Sequence, residues 1–319
     1  MPYKFHASHR GKFKKARYSV TNWPAYNESL RRRGDLTIWV SDDVTQEWTA
    51  ARRRTRGGQR KYSDLAIEIC LTLRVVFRLA LRQTQGFTRS IATLMGLALP
   101  VPDFSTLSRR GKGLHVARNG RAASQPITLI VDSTGLKIHS DAAWHGHKHG
   151  VKGARKTWRK LHLALDPDSG VILASKLTTE LVGDETALPD LFGNIDARVD
   201  RFVADGAYDG TGVSDSVVAA FGSDVEIIIP PQKNAVPGVS SQRNRHVEKI
   251  AERGRMAWQV ATGYNQRSRI ETQIGRWKTV IGDRLQARHF DNQTCETQIA
   301  ANALNRMTAL GRANYARAI

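Results

Sequence analysis

The run Ile127-Thr-Leu-Ile-Val131 is apolar at four of its five positions, rich in β-branched residues, and ends abruptly at Asp132. A strand with no polar face has to be covered on both sides, so it belongs inside a sheet with helices above and below it. Leu161–Leu165 and Val171–Leu177 read as two more strands, and Asp166-Pro-Asp-Ser-Gly170 between them supplies the turn of a hairpin. Beyond them, 184–195 reads as a helix, 201–204 as a strand ending at Asp205, and 225–229 as a buried strand closed by Pro230-Pro231. Residues 264–281 and 292–310 complete the series as helices, the last with Ile299, Ala303, Met307 and Leu310 on one side.

Three strands, helix, strand, helix, strand, helix is the order of a ribonuclease-H-like α/β fold, expected here over residues 126–319. The preceding segment, 62–125, reads as helical. Ser63 is an N-cap before Asp64, an apolar run continues to Leu81, a second helix covers 87–94, and Gly96 suits its stop. Glu68, Arg74 and Arg78 interrupt the apolar run at a spacing that a bilayer would penalise, so it reads as a core helix and no membrane partner is expected. After Pro100-Val-Pro-Asp103, a short third helix runs to Arg110. Three short helices with a basic, hydroxyl-rich third resemble a helix-turn-helix, which makes Ser105, Thr106, Arg109 and Arg110 candidate DNA contacts. A helical packing unit with solvated arginines is the alternative. Residues 1–61 read as a basic, partly ordered arm with Arg31, Arg32 and Arg33 among its charges.

The formal net charge is +20, and it is unevenly placed: residues 1–125 carry 24 Lys and Arg against 8 Asp and Glu. That balance fits a polyanion partner bound by the N-terminal part better than a small acidic substrate. Two distant cysteines, Cys70 and Cys295, make a disulfide scaffold improbable, and the basic first residues lack the apolar segment of a signal peptide. A reducing cytosol is the expected setting.

Asp132 and Asp205 follow buried-type strands, where open α/β sheets place ligands, and hard oxygen donors without Cys or His suit Mg²⁺ or Mn²⁺. Either aspartate alone is equally well explained as a turn cap beside Gly135 or Gly206. On a helix over 264–281, Tyr264, Arg267, Glu271 and Lys278 are 3, 4 and 7 residues apart, which puts them in one stripe. A solvated Arg267–Glu271 ion pair would use the same spacing.

The pattern Tyr264-x2-Arg267-x3-Glu271-x6-Lys278, preceded by Asp205-Gly-Ala-Tyr-Asp209 and by Val131-Asp-Ser-Thr-Gly-Leu-Lys137, resembles a DDE transposase of bacterial insertion sequences, nearest to the "insertion sequence five" family of the wider insertion-sequence-four superfamily. The resemblance extends over nearly the whole chain. It implies a ribonuclease-H-like catalytic domain with Asp132, Asp205 and Glu271 as the acidic triad and metal ligands. It also implies terminal inverted repeats and target DNA as partners, an assembly at least dimeric, and a place in the bacterial cytosol near the nucleoid. Only 66 residues separate Asp205 from Glu271, which leaves little room for the β-rich insertion of some relatives. Phosphoryl transfer on DNA requires charge neutralised at the attacking and leaving oxygens, a task for two divalent ions about 4 Å apart. Lys278 is then placed for a DNA phosphate, Arg267 for orienting Glu271 or contacting the backbone, and Tyr264 for positioning the DNA end or for packing.

The stretch from Trp144 to Lys160, with Lys148, Lys152, Arg155, Lys156 and Arg159, reads as a DNA-contacting loop beside the first aspartate, or as an ordinary solvated connection. His139, His145, His147 and His149 lie in or beside it without cysteines and make a poor zinc set. Trp277 suits core packing better than base stacking. Two other functions use the same residues: a catalytically silent DNA-binding repressor, and a nuclease that cleaves without joining.

Overall fold

In a computed structural model of the chain, the structure describes residues 17–40, 44–54, 56–117, 125–138, 158–232, 234–238 and 240–318. The N-terminal part comprises β1 (Arg17–Val20), α1 (Trp23–Arg32), α2 (Leu36–Trp39), α3 (Val44–Glu47), α4 (Asp64–Val76), α5 (Leu81–Leu94) and α6 (Phe104–Gly111). The sheet and its helices follow: β2 (Ile127–Ile138), β3 (Trp158–Leu165), β4 (Ile172–Thr179), α7 (Leu188–Phe192), β5 (Val199–Val203), α8 (Thr211–Phe221), β6 (Glu226–Ile228), α9 (Ser241–Thr262), α10 (Ser268–Val280), β7 (Arg284–Leu285), α11 (Phe290–Ala309) and β8 (Tyr315–Ala318).

The main sheet has the order β4-β3-β2-β5-β6, with β7 paired to the far end of β2. β2, β3 and β4 are antiparallel, whereas β5 and β6 run parallel to β2. The strands of this mixed α/β sheet follow the expected order, but α9 and β7 were not expected, and the helix expected over 184–195 is a 3-10 turn followed by the short α7. The alternation of side chains along β2 divides the interior. Ile130 and Leu136 face a core shared with Leu161, Leu163, Trp258, Ile270, Trp277 and α11. Leu129 and Val131 face a second core with Ala164, Phe192, Phe202, Tyr208, Val213 and Val217.

The helical block departs from the expected separation. Trp39 and Trp48, each 2% exposed, join α4 and α11 in the first core, and the Trp48 indole donates to the Pro100 carbonyl at 2.6 Å. Residues 23–40 and 44–50 are therefore largely a packed part of the fold rather than an arm, because indoles of that size bury more than a mobile arm could offer. Ser63 caps α4 as expected, accepting from Ala66 N at 3.0 Å. The helix stops at Val76, short of Leu81, because Arg78 takes a left-handed backbone (φ 54) and turns its guanidinium onto the Thr279 and Val280 carbonyls, 2.7 and 2.9 Å away. α5 begins at Leu81 rather than Phe87, with Gln83 reaching back to the Ala80 amide at 3.1 Å. β1 and β8 pair antiparallel, a ribbon that neither segment's sequence announces. Among the described residues no helix is long and apolar enough to cross a membrane.

Candidate active site

Asp132 lies in the middle of β2 and not at its end, since β2 continues to Ile138 against β3. What ends there is the parallel partner: the last β2–β5 pair is Ile130 with Val203, and Asp132 and Asp205 each lie two residues beyond it. The parallel register thus brings both carboxylates to the same edge, although only one strand stops. Asp132 shares the parity of Ile130 and projects to the face covered by α10. Its Oδ1 accepts from the Ser133 amide at 2.8 Å. Asp205 caps the 3-10 turn Gly206–Tyr208, its Oδ1 accepting from Ala207 N at 2.9 Å, which leaves Oδ2 for the site.

The expected helix over 264–281 is split. Gly263, in the left-handed region (φ 67), ends α9, a 3-10 turn spans Tyr264–Arg267, and α10 starts at Ser268. Tyr264 and Arg267 eclipse each other on a three-residue turn, and Glu271 and Lys278 share a face of the α-helix that follows, so the single stripe becomes two short ones. Arg267, at the junction, joins them. Its Nη1 lies 2.6 Å from Glu271 Oε1, and its Nη2 lies 3.1 Å from Asp132 Oδ2 and 3.5 Å from Asp205 Oδ2. One guanidinium, 18% exposed, therefore touches three carboxylates delivered by a strand, a turn and a helix.

Burial pushes the Asp132 carboxyl above its ordinary range, and the neighbouring charges of Asp205 and Glu271 add to this, while Arg267 and the Ser133 amide oppose it. Burial acts against the charge of Arg267, but Asp132, the Tyr264 phenol, Asp205 and Glu271 together outweigh it and hold the guanidinium more firmly protonated than usual. The site is thus acidic, partly desolvated and short of positive charge. All three donors are hard oxygens, which suits a divalent cation such as Mg²⁺ or Mn²⁺. Among the described residues no three such side chains close on one point, since Arg267 stands between them.

The other candidates divide. Lys278 is exposed on α10. Tyr264 is half-buried, its ring 5.2 Å from that of Trp258, and burial raises its phenol to about 12. Trp277 is core, 1% exposed. Arg159 is engaged within the protein, with Gln293 Oε1 at 3.1 Å, Glu180 at 3.5 Å and the Phe290 ring beneath it, because its strand position faces α11 rather than the loop. Arg110 is likewise held by Asp64 and by the Tyr62 carbonyl. The Ser105 and Thr106 hydroxyls both bond to the Asp103 cap, leaving Arg109 as the exposed cation of α6. Arg31 pairs with Glu28 at 3.1 Å, Arg32 is exposed, and Arg33 is half-buried at the end of α1. Lys148, Lys152, Arg155, Lys156 and the four histidines from 139 to 149 lie outside the described residues.

Sequence reasoning missed the bidentate ion pair of Asp209 with Arg243, at 2.8 and 3.1 Å, which anchors the turn carrying Asp205. Asp209 was visible in the Asp205 motif, but nothing in the spacing identifies a partner 34 residues away.

Two solved structures are similar in outline. A piggyBac transposase synaptic complex with hairpin DNA is 10% identical and is matched over 92% of this chain and 78% of that one, at a TM-score of 0.37. The Mos1 mariner paired-end complex with Mn is 10% identical over 97% and 93%, at a TM-score of 0.21. Likeness that faint carries no argument by itself. The sequence families are decisive: one family model described as Transposase DDE domain matches residues 31–141, and another of the same description matches residues 123–306. The second match covers more than half of the chain and includes Asp132, Asp205, Arg267 and Glu271, and on that ground the protein belongs to the Transposase DDE domain family and is a DDE transposase.

Proposed function

We propose that Asp132, Asp205 and Glu271 are the catalytic carboxylates of this transposase, that it cuts and rejoins DNA at the terminal inverted repeats of its own insertion sequence, and that residues 1–125 supply most of the DNA affinity. The observation that carries this reading is the single guanidinium of Arg267 in contact with all three carboxylates. Side chains 73 and 66 residues apart in sequence gather there around one positive charge. The strand order supports a ribonuclease-H-like sheet, and the motif spacing supports the "insertion sequence five" subfamily. Two Mg²⁺ or Mn²⁺ ions, when bound by these carboxylates, supply the charge that the attacking and leaving oxygens require. The chain's own part is positional. The parallel register fixes Asp132 against Asp205, α10 brings Glu271 in from the covering layer, and Lys278 offers an ammonium two turns farther along for a DNA phosphate. The helices α4, α5 and α6 act as the helix-turn-helix-like unit, with Arg109 as its main exposed contact. The working assembly contains at least two copies, one per repeat, in the bacterial cytosol.

The test is a cleavage and binding series on the element's own ends. Asp132→Ala, Asp205→Ala and Glu271→Ala should each abolish Mg²⁺-dependent cleavage while leaving end binding nearly intact. Near-normal cleavage by any one of them removes that residue from the triad. Strand transfer from a precleaved end distinguishes a transposase from a nuclease that stops at cutting.

A further inference from the structure

Across the sheet from the carboxylates lies a second group of buried polar side chains that the proposed reaction does not use. Ser133 and His162 are cross-strand partners with the parity of Val131 and Ala164, so they project into the second core beneath α7 and α8. His162 is 1% exposed, and its Nε2 lies 2.9 Å from the Thr178 hydroxyl. Its Nδ1 has no hydrogen-bond partner and stands 3.9 Å from Asp184 Oδ1. That oxygen is also without a hydrogen bond, although the Lys160 ammonium is 3.0 Å away as an ion pair. The third unpartnered atom is the Tyr208 hydroxyl, on a ring 2% exposed. Buried polar groups are rarely left unpaired, and three in one cluster point to a shared purpose.

Tyr208 belongs to the turn that Asp205 caps. Its amide donates to the Asp205 carbonyl at 3.1 Å, and its ring is locked in the second core. Its hydroxyl lies beside the side chain of Ser133, the residue after Asp132, and the charge acting on it most strongly is Asp184, ahead of Asp132 and Asp205. Burial holds the phenol neutral, so its hydroxyl has a proton to donate. Burial also lowers His162 to about 4, which leaves a neutral imidazole. Its one ring proton belongs on Nε2 toward Thr178 or on Nδ1 toward Asp184, and the Asp184 carboxylate is an acceptor in either case.

We propose that Tyr208, with Asp184 behind it, is a positioning residue: the buried phenol ties the Asp205 turn to β2 at Ser133 and so sets the separation of Asp132 and Asp205. The phenol proton is directed to Asp184, directly or through one water molecule, and the Lys160 ammonium, 3.0 Å from Asp184 Oδ1, holds that carboxylate in place. This inference rests on the reading of Asp132 and Asp205 as metal-holding carboxylates. No signature residue is involved on the Asp184 side; the loop that carries it simply returns from β4 to the back of the site.

Two near-isosteric variants test it. Tyr208→Phe removes only the hydroxyl, and Asp184→Asn removes only the charge. Mn²⁺ binding to the DNA-free full chain, followed by calorimetry alongside thermal melting, should weaken about 10-fold or more in each, within the roughly 10- to 100-fold range seen when groups that orient metal ligands are changed. The melting temperature should stay close to that of the unaltered protein. The double variant should bind Mn²⁺ no worse than the weaker single, because both act through one chain of contacts. Unaltered Mn²⁺ binding in both singles overturns the inference, as does a double variant in which the two losses add. Asp205→Asn is the reference. If it also leaves Mn²⁺ binding unchanged, the carboxylate reading itself fails; if it abolishes binding while the two singles are normal, only the positioning role is lost. Should Asp184→Asn not fold, Tyr208→Phe decides alone, since it keeps the ring that packs.

Discussion

Replacing Arg267 by Gln removes the guanidinium that contacts Asp132, Asp205 and Glu271 together. Breaking a buried ion pair by deleting one partner costs about 3 to 5 kcal/mol, because the remaining charge is left uncompensated. Here the Asp132 and Arg267 side chains are 14% and 18% exposed and close to that case, whereas Glu271 at 58% contributes little more than a surface pair, under about 1 kcal/mol. The Asp132 carboxyl also has an escape, since it can take up a proton. A net loss of about 2 to 4 kcal/mol at neutral pH without divalent cations follows, or roughly 3 to 6 °C in melting temperature for a chain of this size. The loss must depend on pH. The Asp132 carboxyl is already raised in the folded state, and removing Arg267 raises it further. A carboxyl raised on folding favours the fold below its unfolded pKa, and that contribution is lost as pH rises through the folded pKa. The variant should therefore approach wild type near pH 4 and fall away from it toward pH 7.5. Millimolar Mg²⁺ should restore more stability to the variant than it adds to wild type. Thermal melts at three pH values, with and without Mg²⁺, read all of this. A variant as stable as wild type at pH 7.5 and indifferent to Mg²⁺ would refute the convergence of the three carboxylates on this guanidinium.

His162 gives a second pH dependence of opposite sign: lowered to about 4 by burial, it favours the fold above its unfolded pKa, and that stability is lost as pH falls from about 6.5 to 4, by up to about 3 kcal/mol. Urea midpoints at pH 7 and pH 4.5 should differ less in His162→Gln than in wild type, and equal differences would show that the imidazole does not titrate as argued. Lys278→Ala should leave the melting temperature unchanged, weaken binding of the element's end and reduce the slope of its salt dependence by about 1, whereas Lys278→Arg recovers part of the affinity. Thr279→Ala, which loses only a hydroxyl bonded to Gly275 O of its own helix, is the control, and a DNA-binding loss there as large as that of Lys278→Ala would sink the phosphate contact.

Periodicity located the strands because buried strands leave a clear record: Ile127–Val131 and 225–229 each carry a single polar residue, Thr128 and Glu226, among apolar ones. Their ends were harder. Asp132 looked terminal because a charged residue closes the apolar run, yet β2 continues with Leu136 inside and Lys137 outside, an alternation that β3 supports by pairing from Trp158 to Leu165. The split at Arg267 was illegible for a different reason. A 3-10 turn and the first turn of an α-helix bring residues three apart onto nearly the same face, so the motif spacing fits either, and only Gly263 hints that one helix has ended. Side-chain pairing left least trace. Arg110 and Arg159 sit in basic, exposed-looking stretches, and their burial is decided by Asp64 and Gln293, which lie 46 and 134 residues away.

The helical block read as a unit distinct from the sheet because its composition changes at Pro126, and the contacts show why that boundary does not divide the core. α11, at the far end of the chain, fills the space between α4 and β4, and Arg74 reaches across to Glu296 at 3.8 Å with both side chains about 10% exposed. Asn302 donates to the Ala117 carbonyl at 2.6 Å. Most telling is Arg78, whose guanidinium satisfies carbonyls at the end of α10, where the last turn of any helix lacks intrahelical partners. α10 carries Glu271 in its first turn and Lys278 in its last. The helical block is therefore tied directly to the element that holds the third carboxylate, through two charge-assisted hydrogen bonds rather than through a linker. The part of the chain with most of the net positive charge and the part with the three carboxylates are thus packed against each other and joined at the helix on which the proposed chemistry depends.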